Sequence, residues 1–92
     1  MKIEFDPNKN SANVAKHGVD FSAVEGFEWG DCISWQDHRA AYAERRECVI
    51  GYIGERLHFV VFTDRPNAQY EARRVISLRK ANQREEVFYA NA

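Results

Sequence analysis

At 92 residues the chain is long enough for one domain with one core. A 45% hydrophobic fraction with two Trp, four Tyr and six Phe excludes a disordered chain, and no apolar run approaches the roughly 18 residues of a membrane-spanning helix. The formal net charge of −1 argues against a protein that coats nucleic acid, because nonspecific phosphate binding depends on counterion release by many basic groups.

In chain order, Met1 to Phe5 lacks the apolar stretch of a signal peptide, so the cytoplasm is the expected compartment, and Ile3 to Phe5 reads as a short first strand. Asp6 is a good N-cap, Pro7 suits the first helical position and Gly18 is a natural stop, which predicts a helix from Pro7 to about His17. Lys9, Asn13, Lys16 and His17 fall at i, i+4, i+7 and i+8, on one face of that helix. Ser22 and Glu25 have capping-box spacing and predict a second short helix through about Trp29, weakened by Gly26, with Val24 and Phe27 inward.

From there the pattern is β. Ile33 to Trp35 forms a candidate strand, Arg46 to Ile53 a better one and Leu57 to Thr63 the most apolar, with Gly54-Glu55 as a two-residue hairpin turn. That hairpin is expected to form the sheet centre. Asp64 to Ala72, with Pro66-Asn67, reads as a loop, and Arg73 to Leu78 as a further strand. Asn82 and Glu85 stand at cap-to-N3 spacing, so a last helix is expected from about Gln83 to Ala90, presenting Val87 and Phe88 to the core. The fold class is therefore α+β, a single domain of order β-α-α-β-β-β-β-α with a mainly antiparallel sheet.

Cys32 and Cys48 are too few for a disulfide framework, and their apolar neighbours mark them as buried thiols. Cys32, His38, Cys48 and His58 lack the short ligand spacings of zinc sites, so no metal and no cofactor is expected. Charge is unevenly distributed along the chain. Asp20, Glu25, Glu28 and Asp31 meet no basic residue between Lys16 and Arg39, whereas Arg65, Arg73, Arg74, Arg79, Lys80 and Arg84 enclose one acid, Glu71. A basic face opposed to an acidic one is expected.

The ordered set Phe5-Asp6-Pro7-x-Lys9, Asn13, Lys16-His17-Gly18-Val19-x-Phe21, Asp37-x-Arg39-x-x-Tyr42-x-Glu44-x-Arg46 with Gly51, and Arg74-Val75-Ile76-Ser77-x-Arg79-Lys80-Ala81-x-x-Arg84-Glu85 resembles the BrnT family. These are ribonuclease toxins of bacterial type II toxin–antitoxin pairs. The resemblance spans nearly the whole chain and implies a RelE-like fold and metal-independent RNA cleavage that arrests translation. It also implies neutralisation by an antitoxin that usually carries a ribbon-helix-helix DNA-binding region, in a hetero-oligomer. The longer polar stretch Asp64 to Ala72 departs from the tighter turn of other members.

RNA cleaves itself when its 2′-hydroxyl is deprotonated, the phosphorane is neutralised and the leaving 5′-oxygen is protonated. His17 is the natural proton carrier, and its competing role is to interact with the end of its own helix. Lys16 is either a phosphate cation or a solvated helix residue. Arg74 and Arg79 are the stronger guanidinium candidates for the phosphate, while Glu44 and Arg46, two apart and on one face if extended, are a candidate base and phosphate clamp or an ordinary ion pair; Glu44 is also a possible ion-pair partner of Arg74. Ser77, Arg79 and Lys80 are candidate substrate contacts. Regular alternation would place Arg73, Val75, Ser77 and Arg79 on one strand face and Arg74, Ile76 and Leu78 on the other, keeping Arg74 and Arg79 out of one cleft. The expected site lies where the first helix meets the sheet, with Lys16, His17, Arg46 and Arg74 as catalytic residues. The rival reading is a catalytically silent interaction module acting in a repressor complex, and a generic RNA-binding domain is disfavoured by the net charge.

Overall fold

The computed structural model describes residues 1–65 and 71–92. A strand β1 (Lys2–Glu4) leads into helix α1 (Pro7–His17). The Asp6 side chain accepts from the Asn8 N–H at 2.8 Å, and the helix closes where the Gly18 N–H donates to the Val14 carbonyl. Two 3₁₀ turns, Phe21–Gly26 and Trp29–Asp31, precede β2 (Ile33–Gln36), β3 (Glu47–Ile53), β4 (Arg56–Asp64), β5 (Ala72–Lys80) and α2 (Gln83–Ala90). The loop expected around Pro66-Asn67 lies outside the described residues.

The five strands form one sheet in the order β1-β5-β4-β3-β2; β1 pairs parallel with β5 and the other three pairings are antiparallel. The β3–β4 hairpin sits centrally, as its apolar runs require. Ile53 pairs with Arg56 across the turn, and Gly54 has φ +61°, the positive value a type II′ turn needs at its first central position.

One irregularity reorganises the surface. Val61 pairs with Ser77 and Phe62 with Val75, which leaves Ile76 as an extra residue in β5. Such a bulge shifts the alternation by one position. Val75 and Leu78 therefore both join Phe21, Val24, Phe27, Val49, Val60 and Phe62 in the core under the 3₁₀ turns. Ile76 packs on the other face with Cys48, Ile50, Phe59 and Val61. The expectation that Ile76 and Leu78 share a face fails for this reason, and Ser77 and Arg79 move onto the face of Arg74.

Three further expectations are corrected. The second helix is 3₁₀ in character and is capped by Asp20, whose side chain accepts from the Ser22 N–H, so the Ser22 and Glu25 spacing is not used as a capping box. The Asn82 and Glu85 capping box is present, but Val87 and Phe88 are exposed, because α2 docks through Glu85 and Tyr89 instead. Tyr89 packs edge-on against Tyr52 and donates its hydroxyl to the Asp31 carbonyl.

Asn13 does not share a solvent face with Lys9 and Lys16 but is buried. Its amide donates to the Leu78 carbonyl at 2.8 Å and accepts from the Leu78 N–H at 3.3 Å. Pairing with β1 reaches only Ala72 to Arg74, so the Asn13 side chain stands in for a neighbouring strand further along the β5 edge.

Candidate functional site

The sheet face opposite the 3₁₀ turns is only partly covered by α2, and across it runs a row of three side chains. Arg74 on β5 pairs with Thr63 on β4; Glu47 pairs with Phe62, so Arg46, one residue earlier, stands opposite Thr63. Strands lie about 4.8 Å apart, which sets the two arginine Cα atoms roughly 10 Å apart. The Thr63 hydroxyl donates to the Arg45 carbonyl at 2.8 Å and pins the chain entering β3. The Arg46 guanidinium stacks 4.2 Å from the Tyr42 ring centroid and stands 3.7 Å from Glu44.

Among the described residues, the Nε atoms of Arg46 and Arg74 are buried side-chain donors with no hydrogen-bond partner. A buried donor left unpaired costs about 1–3 kcal/mol, more when charged, so two flanking one threonine make this place the candidate site for an acceptor from outside.

Arg79 is differently placed. It binds Glu85 through two hydrogen bonds of 2.7 Å and lies 4.5 Å from the Phe59 ring centroid. Burial works to raise the Glu85 carboxyl, but the Arg79 hydrogen bonds, the Asn82 backbone N–H and the Arg79 charge together hold it below its ordinary value. Ser77 is half-buried on this face and Lys80 is exposed.

Lys16 and His17 do not meet Arg46 and Arg74. Asn13 fixes α1 beside Leu78, so the last helical turn stands by Arg79, and the His17 ring is held below its ordinary value by burial, then by Lys16 and Arg79. Arg74 lies five residues back along β5, beyond the bulge, a separation on the order of 13 Å. The single site expected at the helix–sheet junction is therefore two patches, one of Glu44, Arg46 and Arg74 and one of Lys16, His17 and Arg79; Lys80, paired with His58, alternates onto the opposite face of the strand. Glu44 pairs with Arg65 at 2.9 Å and Arg46 at 3.7 Å, not with Arg74.

Nor is the basic stretch of sequence an unbroken basic face. Arg65 pairs with Glu44, Arg73 with Asp64 and Arg79 with Glu85, each acid lying outside the basic stretch of sequence. Tertiary pairing neutralises charges that look segregated along the chain.

Sequence reasoning gave no role to Asp37 and Arg39. The Asp37 side chain is 1% exposed, and its carboxylate accepts from the Arg39 Nε and NH2 at 2.8 Å each and from the Arg39 backbone N–H at 3.1 Å. These hydrogen bonds, the Arg39 side chain first, hold its carboxyl far below the usual carboxylate range. The available signal was the i, i+2 spacing within the central motif. Among the described residues no group of three or more His, Cys, Asp or Glu converges to hold a metal ion.

Fold and site together define a class: a small α+β protein whose half-open sheet face offers guanidinium groups to an anion. The chain belongs to the BrnT family, since residues 5–85 match the family described as "Ribonuclease toxin, BrnT, of type II toxin-antitoxin system". The crystal structure of the Brucella abortus ribonuclease toxin BrnT is similar to it at 34% identity and a TM-score of 0.64, covering 90% of this chain and 99% of that one. A comparison with curated proteins gives no match. Membership makes the chain a ribonuclease toxin of a type II toxin–antitoxin system and implies an antitoxin protein as its partner.

Proposed function

We propose that the chain is a metal-independent endoribonuclease that cuts RNA through the substrate's own 2′-hydroxyl and thereby arrests translation in the cytoplasm. The observation that carries this reading is the pair of unpaired, buried Nε–H donors of Arg46 and Arg74 on either side of Thr63. Guanidinium donors preorganised in a partly dry site stabilise charge developing on a phosphorane better than solvated cations do. Glu44, the carboxylate beside Arg46, accepts the 2′-hydroxyl proton; the 2′-oxygen attacks phosphorus, the P–O5′ bond breaks, and the leaving oxygen takes a proton from water at the open face. The products are a 2′,3′-cyclic phosphate and a free 5′-hydroxyl.

In this reading Lys16, Arg79 and Lys80 take neighbouring phosphates, and Ser77 sits between the two patches. His17, whose affinity for a proton is lowered by burial and then by Lys16 and Arg79, serves as a proton acceptor in this reading. Incubation of the purified chain with RNA in EDTA, with analysis of product termini, tests the mechanism. Cleavage should persist and leave cyclic or 3′-phosphate ends; 5′-phosphate products or full dependence on a divalent ion would refute it.

The pairing of Arg65, Arg73 and Arg79 with acids favours one rival, a silent interaction module acting with its partner in repression. Growth arrest on expression without the partner separates the two.

A further inference from the structure

Trp35 on β2 pairs with Cys48 on β3, which places its ring on the same sheet face as Arg46 and Arg74. The residue is 38% exposed, an unusual position for so large an apolar ring. Its ring centroid lies 5.9 Å from that of Phe59 and 5.8 Å from that of Phe88, which is itself 55% exposed. Arg39 adds a cation to the group, 5.9 Å from the Phe59 centroid and 63% exposed at the side chain.

The chemistry of Arg39 is specific. Its Nε and NH2 are committed to Asp37, whose buried carboxylate fixes the plane of the guanidinium, while the outward part of the fork stays in solvent. A guanidinium held in one plane beside an exposed indole forms a slot for a flat, polarisable group with acceptors on its edge. A nucleobase is such a group. Position adds to this argument: Cys48, the partner of Trp35, lies two residues from Arg46, and alternate residues on a strand are about 7 Å apart. The aromatic slot and the guanidinium row are thus neighbours on one face, as a base and its phosphate are in one nucleotide.

We infer that Trp35, Phe88 and Arg39 form a stacking subsite for an unpaired nucleobase of the RNA whose phosphate is held by Arg46 and Arg74. This rests on the ribonuclease reading above and adds to it a substrate that is single-stranded at the cut. The occupant is RNA rather than an apolar protein segment because the buried Nε–H donors of Arg46 and Arg74 share the face with the rings, and an apolar segment would leave them without acceptors.

The test uses a short single-stranded 2′-O-methyl RNA, which cannot attack its own phosphate, and the same oligonucleotide made abasic. In a Trp29→Phe chain Trp35 is the one tryptophan left, and its emission should be quenched by the base-bearing oligonucleotide but not by the abasic one. Trp35→Leu should weaken binding of the base-bearing form about tenfold, leave the abasic form unchanged, and keep the salt dependence of wild type. Arg39→Gln should weaken binding of the base-bearing form more than that of the abasic form. If Trp35→Leu melts early, Phe88→Ala, a change at an exposed side chain, gives the same comparison.

Equal affinity of wild type, Trp35→Leu and Phe88→Ala for the base-bearing form, without quenching, overturns the subsite and leaves the ribonuclease reading standing. Failure of wild type to bind either oligonucleotide overturns both. Protection of Trp35 and Phe88 by the antitoxin, with RNA binding indifferent to them, would overturn the subsite and assign the face to the protein partner.

Discussion

Arg46 and Arg74 carry opposite consequences for activity and for stability. Each has a desolvated Nε–H that the folded chain does not satisfy, so replacing either by methionine, similar in length and apolar, removes a donor that was a liability. We expect Arg74→Met to leave stability in urea within about 1 kcal/mol of wild type or to raise it, while RNA cleavage falls by roughly 10²-fold or more. Parallel loss of folding and cleavage would show that Arg74 acts structurally. His58 gives a pH prediction. It is buried on the central strand with Nδ1–H donating to the Arg56 carbonyl, and burial first, then the charges of Arg56 and Lys80, outweigh that hydrogen bond and lower its affinity for a proton. A histidine whose folded value lies below its unfolded value of 6.5 contributes stability that is complete above that pH and is lost as the pH falls through it. Urea midpoints should therefore decline between pH 8 and 5.5 in wild type and decline less in His58→Gln. The carboxylates Asp37 and Glu85, held low by Arg39 and Arg79, add their own loss only below their ordinary values of 3.8 and 4.5.

At the scale of elements, α1 is tied to β5 by Asn13, and α2 is held by Glu85 and Tyr89. Asn13 supplies both the donor and the acceptor that Leu78 would otherwise find in a neighbouring strand. Asn13→Ala leaves a buried N–H and C=O unpaired, and we expect a loss of about 2–3 kcal/mol in denaturant unfolding. Asn13→Asp keeps the acceptor but sets a buried carboxylate against the Val19 and Leu78 carbonyls, and should cost at least as much as Asn13→Ala at neutral pH. For α2, Glu85 closes the capping box and grips Arg79, whereas Val87 and Phe88 contribute little burial. Glu85→Ala should raise amide hydrogen exchange across 83–90 well before it changes exchange in the β3–β4 hairpin. Uniform acceleration through both elements would mean that the helix is not a separate unit. The caps of both helices and the hairpin turn were visible in the sequence because each is a signal between residues a few positions apart. The docking of α2 was not, because helical spacing alone does not distinguish a face held by Tyr89 and Glu85 from one held by Val87 and Phe88.

For the whole molecule, the two cationic patches lie along one strand, and a partner that silences the toxin has to deal with both. An antitoxin segment that is acidic, or that packs across β5, would cover Arg74 to Lys80 and reach Lys16 and His17. In the heteromeric complex these positions should lose solvent exchange and cleavage should stop; a complex that is inactive with Arg46 and Arg74 still open to RNA would favour distortion of the site over occlusion. The sequence by itself determined the α+β class, the bounds of α1 and α2, the central hairpin and the identity of the guanidinium candidates, since caps, turns and apolar runs act locally and residue type sets chemistry. Only the tertiary structure decided which candidates stand together. The extra residue at Ile76 brought Ser77 and Arg79 onto the face of Arg74, Asn13 carried Lys16 and His17 to the far end of that strand, and acids outside the basic stretch of sequence claimed Arg65, Arg73 and Arg79. Each of these outcomes turns on strand register or on pairing between residues far apart in the chain, where the free energy depends on what the rest of the fold brings alongside and no local pattern encodes it.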